Sequence, residues 1–407
     1  MKPGCMERFI LVESALVGVW GLSQDFAAVK SEFHMESPRE LCIQAIQKSI
    51  LSRIGDLFQD VYLPDGHQRP FVLYQLQEHD NFGDTFIDRA EELLLAKLGL
   101  EAAAECTNDQ VEGNTMARCP DPEVQEILQG NATVLFSGGG NWGDLWWSYH
   151  RNRMDEIQRL ATRANMTIVT MPQSMKFVNA EFRQVDINQV AKIVESKHPT
   201  TRVTFLFRQR DSYETAIRIY PGIDVRLVPD IAFLLGPSLR TDSKKFKYDI
   251  LFMCRGDKEG SGHEDAARLI RSEMERKAPE VAFQVSDWLN KDGNATYVYK
   301  HRMREASIPS LRHSVVVEAA VRHLSTAKVV VTDRLHTSIL ALLMGVPHVI
   351  IDGGVGSPSY GKRRLSRDAA FETSKHCTKR HLRYFDASTM TEGVTKGLKL
   401  LEIFWAW

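Results

Sequence analysis

The chain has 407 residues, 43% of them hydrophobic, enough for two domains with separate cores and too apolar for a disordered chain. Its 51 basic and 52 acidic residues nearly cancel, which excludes a nucleic-acid footprint and an acidic tail. The cysteines (Cys5, Cys42, Cys106, Cys119, Cys254, Cys377) form no C-x-x-C pair, which argues against a zinc site and a disulfide-dense scaffold; Cys106 and Cys119 can bridge in an oxidising compartment, but free thiols are the expected state.

Residues 1–64 read as a leader plus one helix. Arg8 precedes the apolar runs Phe9–Val12 and Ala15–Trp20, but Glu13 interrupts them and they are short for a membrane span, so an amphipathic or unordered leader is expected. From Arg39 to Phe58, the apolar residues Leu41, Ile43, Ile46, Ile50, Leu51 and Ile54 recur at helical spacing. Sequons at Asn131, Asn165 and Asn294 decide little, since such triplets arise by chance.

A first βα series occupies residues 65–240. Strand Phe71–Tyr74 leads through Asn81-Phe82-Gly83-Asp84 into a helix that Gly99 ends. Strand Thr133–Phe136 runs into Ser137-Gly138-Gly139-Gly140-Asn141-Trp142-Gly143-Asp144. Consecutive glycines let the backbone approach a ligand closely, though a structural turn needs them equally. The segment fits neither the dinucleotide fingerprint nor the Gly-Lys-Ser/Thr phosphate loop. A helix from His150 to Ala164 precedes strand Thr167–Met171, which ends in Pro172-Gln173-Ser174. Strand Arg202–Phe207 carries Arg208, Arg210, Asp211 and Ser212 at its end, with Asp211 or Ser212 capping a helix near Tyr213. Val225–Asp230 closes this half.

Gly236–Lys247 loses apolar periodicity and reads as the interdomain linker. A second series fills residues 241–407: strand Tyr248–Met253 with Arg255 at its end, helix Glu264–Arg276, strand Val281–Val285, helix Ser314–Ser325 and strand Ala327–Val331. Thr332 and Asp333 can cap the next helix, which Gly345 and Pro347 stop before strand His348–Ile351. Arg334 and His336 place two potential cations at that helix N-terminus, where free N–H groups and the helix dipole favour an anion. An Arg334–Asp333 pair and a packed His336 explain the same residues without a ligand. Tyr360-Gly361-Lys362 opens another helix, and a last helix, Thr389–Phe404, is expected to cross back to the first domain. The pattern predicts two Rossmann-like α/β domains facing across a cleft, a GT-B-like architecture with ligands at the carboxyl ends of the strands.

Taken in order, the N-x-G-D turns, the G-G-G-N loop, Pro172-Gln173-Ser174, Arg208, and Thr332-Asp333-Arg334-Leu335-His336 followed by Gly-x-Pro-His resemble the polysaccharide pyruvyl transferase family over about Phe71 to Lys362. The resemblance implies transfer of the pyruvyl group of phosphoenolpyruvate to sugar hydroxyls of a polysaccharide or glycan, forming a pyruvate ketal with no cofactor and no metal. It implies that Arg334 and His336 engage the donor, with Arg208 matching best because its spacing to Ser212 is kept. Gln209 stands where the family often has Asp, so Arg210 stays a rival. Gly353–Ser359 departs from the family's run before Gly-Lys, leaving Lys362 open.

The expected catalytic set is therefore His336, Arg334, Arg208, Asp84 and Asp144, with Asn81, Gly83, Gly139, Gly140, Asn141, Gln173, Ser174, Arg255 and Lys362 as substrate-binding residues. Histidine side chains titrate near neutrality, which suits His336 to general-acid or phosphate-contact duty. The arginines would stabilise charge on the donor and departing phosphate. Asp84 or Asp144 would take the acceptor proton, although helix caps explain both. Trp142, Trp146 and Trp147 fit sugar stacking or core packing. A nucleotide-sugar glycosyltransferase and a silent sugar-binding or scaffold protein remain alternatives on the same fold. Cytoplasmic and Golgi-type locations both suit the chemistry, with membrane association only through the leader.

Overall fold

The computed structural model describes residues 37–58, 68–76, 82–107, 110–111, 114–115, 121–236, 246–255, 263–288, 309–352, 370–372 and 377–405. The expected leader, most of the linker, Asn81, Cys5, Cys119, the Asn294 sequon and Gly353–Lys362 lie outside them.

Helix α1 (Pro38–Gly55) starts on a capping box: Glu40 N–H donates to Ser37 Oγ while Ser37 N–H donates to the Glu40 carboxylate. The first domain then comprises β1 (Phe71–Leu76), α2 (Phe82–Lys97), β2 (Ala102–Thr107), the short hairpin β3 (Gln110–Val111) and β4 (Asn114–Thr115), and α3 (Pro122–Ile127). It continues with β5 (Thr133–Phe136), β6 (Gly139–Gly143), α4 (Trp147–Ala161), β7 (Thr167–Lys176), α5 (Ala180–Ser196), β8 (Arg202–Phe207), α6 (Arg210–Ile219) and β9 (Asp224–Leu227). The second domain comprises β10 (Tyr248–Met253), α7 (His263–Lys277), β11 (Phe283–Ser286), α8 (Pro309–Leu324), β12 (Ala327–Thr332), α9 (Leu335–Met344), β13 (His348–Ile351), α10 (Lys379–Leu382), β14 (Tyr384–Ala387) and α11 (Met390–Trp405).

Both main sheets are parallel. The first runs β2-β1-β5-β7-β8-β9, with β6 against the outer half of β7; the second runs β11-β10-β12-β13-β14. Each order reverses direction once, between β1 and β5 and between β10 and β12, and open α/β sheets bind ligands at such switch points. The chain at those points is the Asp84 turn beside the glycine loop, and Arg255 beside Asp333. The expected Rossmann-like pair is thus present.

Side chains alternate between the faces of each strand. Phe71 and Leu73 of β1, with Leu251, Met253 and Val330 of the second sheet, enter one apolar cluster with α1, α2, α8 and α9. Val72 and Tyr74 face an outer layer on the first sheet, while Val329 and Val331 face one on the second. The two sheets therefore share a middle core.

Several elements depart from expectation. β2 has an Ala-rich sequence of low strand propensity, and its pairing with β1 supplies what propensity does not. The glycine loop forms strand β6, and β7 extends to Lys176 through Pro172; the β7–β8 register shifts between Thr170 and Gln173, so the missing proline N–H breaks no regular ladder. Helix α11 does not cross back: Gly393 and Gly397 bring it against Ile351 and Val331 of the second sheet. The bridge is α1, whose Gln47 Nε2 donates to Phe233 O at 2.8 Å and whose Cys42 is disulfide-bonded to Cys377. Free thiols were expected there, yet folding brings residues 335 apart in sequence to a Cα separation of 5.0 Å. Cys106 is also disulfide-bonded, whereas Cys254 is a buried free thiol. Among the described residues no helix is long and apolar enough to cross a membrane.

Candidate functional site

The carboxyl ends of β7 and β8 in the first domain meet the N-terminus of α9 in the second. Arg208, just past β8, is 3% exposed; its Nε donates to Ser174 Oγ at 2.8 Å and its Nη1 to Asp230 Oδ2 at 2.5 Å. His336 Nε2 comes from the other domain to 3.4 Å from both Arg208 Nη1 and Asp230 Oδ2. Burial alone would raise the Asp230 carboxyl, but Arg208 and His336 outweigh it and hold the group well below the usual carboxylate range. Asp230 was not among the expected site residues. It stands after Val228-Pro229, where β9 ends, and its Oδ1 also accepts from Ala232 N–H at 2.9 Å.

Arg208 and Arg210 are placed differently. Arg210 points outward, half-exposed, and pairs with Glu372. Neither Asp211 nor Ser212 caps α6; Ser212 Oγ instead accepts from Met175 N–H at 3.0 Å, tying the helix to β7.

Arg334 is the N-cap residue of α9 and is only 4% exposed. Its Nε donates to Asp287 Oδ1 at 2.5 Å rather than to Asp333. Asp333 instead accepts from the Arg255 backbone N–H at 2.8 Å, and Thr332 Oγ1 accepts from Arg334 N–H at 3.0 Å. Arg334 thus leans toward β11 while His336, two residues on, leans toward the first domain. Asp287, after β11, is the second site residue that sequence reasoning missed.

Around the first switch point, Asp84 is half-buried in the first turn of α2. A Cβ on Gly139 would lie 3.9 Å from Asp84 Oδ1, and Gly139 has a φ of 132°, a conformation that favours glycine. Gly83, one residue earlier, is buried. Gln173 is fully buried and its Nε2 donates to Ser137 O at 2.7 Å. Gly140 and Asn141 lie on β6, and Asn141 Oδ1 accepts from Arg153 Nη1 at 2.9 Å.

Beneath this loop, α2 presents further acids. Ser137 Oγ donates to Asp88 Oδ1 at 2.9 Å and Gly138 N–H to Glu91 Oε1 at 3.0 Å. Burial pushes the Glu91 carboxyl up to about 8, although the Gly138 N–H and Arg153 act in the opposite direction. The i, i+4, i+7 spacing of Asp84, Asp88 and Glu91 was the available sequence signal.

Asp144 is engaged with the backbone. Its Oδ2 accepts from the backbone N–H groups of Val178 and Asn179 at 2.7 and 2.5 Å, clamping the segment after β7. Trp142 is core: it is 1% exposed, packs on Phe205 and Phe207, and donates to Tyr220 Oη at 3.0 Å. Among the described residues no cluster of His, Cys, Asp or Glu has a metal-holding arrangement.

The family model for polysaccharide pyruvyl transferase matches residues 41–354. The chain is similar to pyruvyl transferase 1 of Schizosaccharomyces pombe, at 28% identity over 286 residues that cover 69% of this chain and 65% of that protein. It thus spans just under two thirds of that relative. EpsO of Bacillus subtilis, named for the same activity, is 29% identical over 294 residues, covering 70% of this chain and 80% of its own. Among solved structures, an uncharacterised protein from Klebsiella pneumoniae aligns with 84% of this chain and 99% of its own at 16% identity and a TM-score of 0.48. Because the family match runs from α1 through both sheets to the end of β13, the chain belongs to the polysaccharide pyruvyl transferase family.

Proposed function

We propose that the chain transfers the pyruvyl group of phosphoenolpyruvate to two hydroxyls of a glycan sugar, forming a cyclic ketal and releasing phosphate. The observation that carries this reading is the meeting of Arg208 and His336 from opposite domains over Asp230. Phosphoenolpyruvate bears a phosphate and a carboxylate, and a site built from both domains can hold both ends at once.

In this reading the methylene carbon takes a proton, with His336 as its donor, and becomes the methyl group. One sugar hydroxyl oxygen bonds to C2 and loses its proton. The C2–O bond to phosphate then breaks as the second hydroxyl oxygen closes the ketal. The two hydroxyl protons balance the one gained by the methyl group and the one leaving with phosphate. Arg208, oriented by Ser174 and Asp230, stabilises charge on the departing phosphate. Arg334, fixed by Asp287, supplies the second cation of the donor site. Asp84 faces the glycine loop at the switch point and is preferred as base, because Asp144 is engaged with two backbone N–H groups.

Calorimetric titration of phosphoenolpyruvate, UDP, GDP and UDP-galactose tests the donor. Phosphoenolpyruvate alone is expected to bind, about tenfold or more weakly in His336→Gln and Arg208→Lys, the loss of one charge-assisted hydrogen bond. Binding of a nucleotide in its place would overturn the reading.

A further inference from the structure

We propose that the cavity beyond β6 is an acceptor subsite that stacks one sugar ring of the glycan, two units along from the ring receiving the pyruvyl group. The cavity encloses about 260 Å³ between the Gly140–Trp146 segment and Lys176, Val178 and Phe182. Ligand pockets for drug-sized molecules hold roughly 300–1,000 Å³, so this one suits a single ring rather than an extended ligand.

Its walls are aromatic and remain accessible after folding. Trp146 is half-buried, and Phe182 is 36% exposed. The Phe182 ring packs on Trp147 with centroids 4.7 Å apart, which fixes its orientation. Aromatic faces bury the C–H face of a pyranose while leaving its hydroxyls to polar neighbours. Those neighbours are Asn141, Asp144 and Lys176 around the same cavity. The Arg153 bond holds the Asn141 amide, and Asp144 bonds Val178 and Asn179, so the two walls are tied together before any ligand arrives.

Its position follows from strand register. Gly139 pairs with Gln173, beside Ser174 and Arg208, whereas Gly143 pairs with Lys176 at the cavity. Three residues of strand separate the two, about 10 Å at 3.3 Å per residue. A glycan whose reacting ring sits at the Asp84–Gly139 switch point therefore runs along β6, with the ring two units along over Trp146 and Phe182. The place of the reacting ring rests on the pyruvyl-transfer reading; sugar binding by the cavity does not.

The test uses the full chain, saturation-transfer NMR with galactose, glucose, mannose, lactose, cellobiose and maltose, and calorimetry with phosphoenolpyruvate and uridine. At least one disaccharide is expected to bind and to weaken about tenfold in both Trp146→Ala and Phe182→Ser. Phosphoenolpyruvate affinity should change less than twofold in these variants. The proposal is overturned if no disaccharide binds the wild type, if disaccharide affinity survives both substitutions, or if uridine displaces the sugar. Failure of phosphoenolpyruvate to bind the wild type sinks the donor assignment instead, and the sugar titrations still decide the subsite.

Discussion

His336 Nε2 lies 3.4 Å from Arg208 Nη1, although the two residues are 128 apart in sequence and belong to different sheets. Asp230 accounts for their coexistence: a buried carboxylate offsets two neighbouring groups that would otherwise repel when both are protonated. The cluster thus joins the two domains.

Asp230→Asn should therefore cost about 3–5 kcal/mol, the usual consequence of leaving one partner of a buried ion pair uncompensated. The depressed acid pKa means that Asp230 contributes stability above its ordinary value of 3.8 and loses it as pH falls through the lower folded value. Urea melts should show a constant deficit for the variant from pH 5 to pH 7, narrowing in stronger acid.

Glu91 carries the opposite sign. With its folded pKa raised from 4.5 to about 8, the folded state keeps a proton that the unfolded state has released. Stability therefore falls as pH rises from 4.5 to 8. Glu91→Gln preserves an acceptor for the Gly138 N–H and removes this slope. Its melting temperature should gain on the wild type steadily between pH 5 and pH 8; a parallel pair of curves would refute the assignment.

The pair His313–Glu92 links α8 to α2 across the interface, Nδ1 to Oε1 at 2.5 Å. Burial alone would lower the His313 pKa, but Glu92 and its acidic neighbours raise it above the ordinary 6.5. Its stabilisation is complete below 6.5 and is lost as pH rises through the folded value. His313→Gln should flatten the decline in melting temperature that the wild type shows by differential scanning calorimetry as pH rises above 6.5.

Removing the Cys42–Cys377 link breaks the covalent tie between α1 and the second domain. Cys42→Ser should cost about 2–5 kcal/mol, the range for a cross-link that restrains a long loop of the unfolded chain. Dithiothreitol should lower the wild-type melting temperature, and the part of that drop due to this bond should be missing in Cys42→Ser.

Gly143 has a φ of 135°, and a Cβ there would overlap the Lys176 carbonyl, so β6 approaches β7 only because this position is glycine. Gly143→Ala should disrupt the cavity edge, and amide exchange at Met175 to Val178 should rise with little change in the second domain.

Much of this was legible in the amino-acid order. Strands Thr133–Phe136, Arg202–Phe207, Tyr248–Met253 and His348–Ile351 fall where β-branched and apolar runs place them. Gly99 and Gly345 end their helices in the left-handed conformation their positions imply. Arg208 stands just past a strand and Arg334 and His336 at the helix N-terminus that follows one, and the resemblance in motif order singled them out among the polar residues found at such places. Asp230 and Asp287 also follow strands but were passed over, because nothing local tells a buried counter-ion from a capping aspartate. Trp146 could not be separated from Trp142, since both look equally apolar until the fold buries one and leaves the other lining a cavity.

The sequence by itself determined what depends on neighbours in the chain: two βα series, their apolar periods, their turn chemistry, and the ordered motifs that mark the family. Only the tertiary structure decided which charges meet. Arg208 could have paired with Asp211, and Arg334 with Asp333; instead Asp230 and Asp287 hold them, and Cys42 finds Cys377. The reason is that strand order and the shared middle core set distances between residues far apart in sequence. The strength of an ion pair depends on that distance and on burial, and neither quantity is local to the chain.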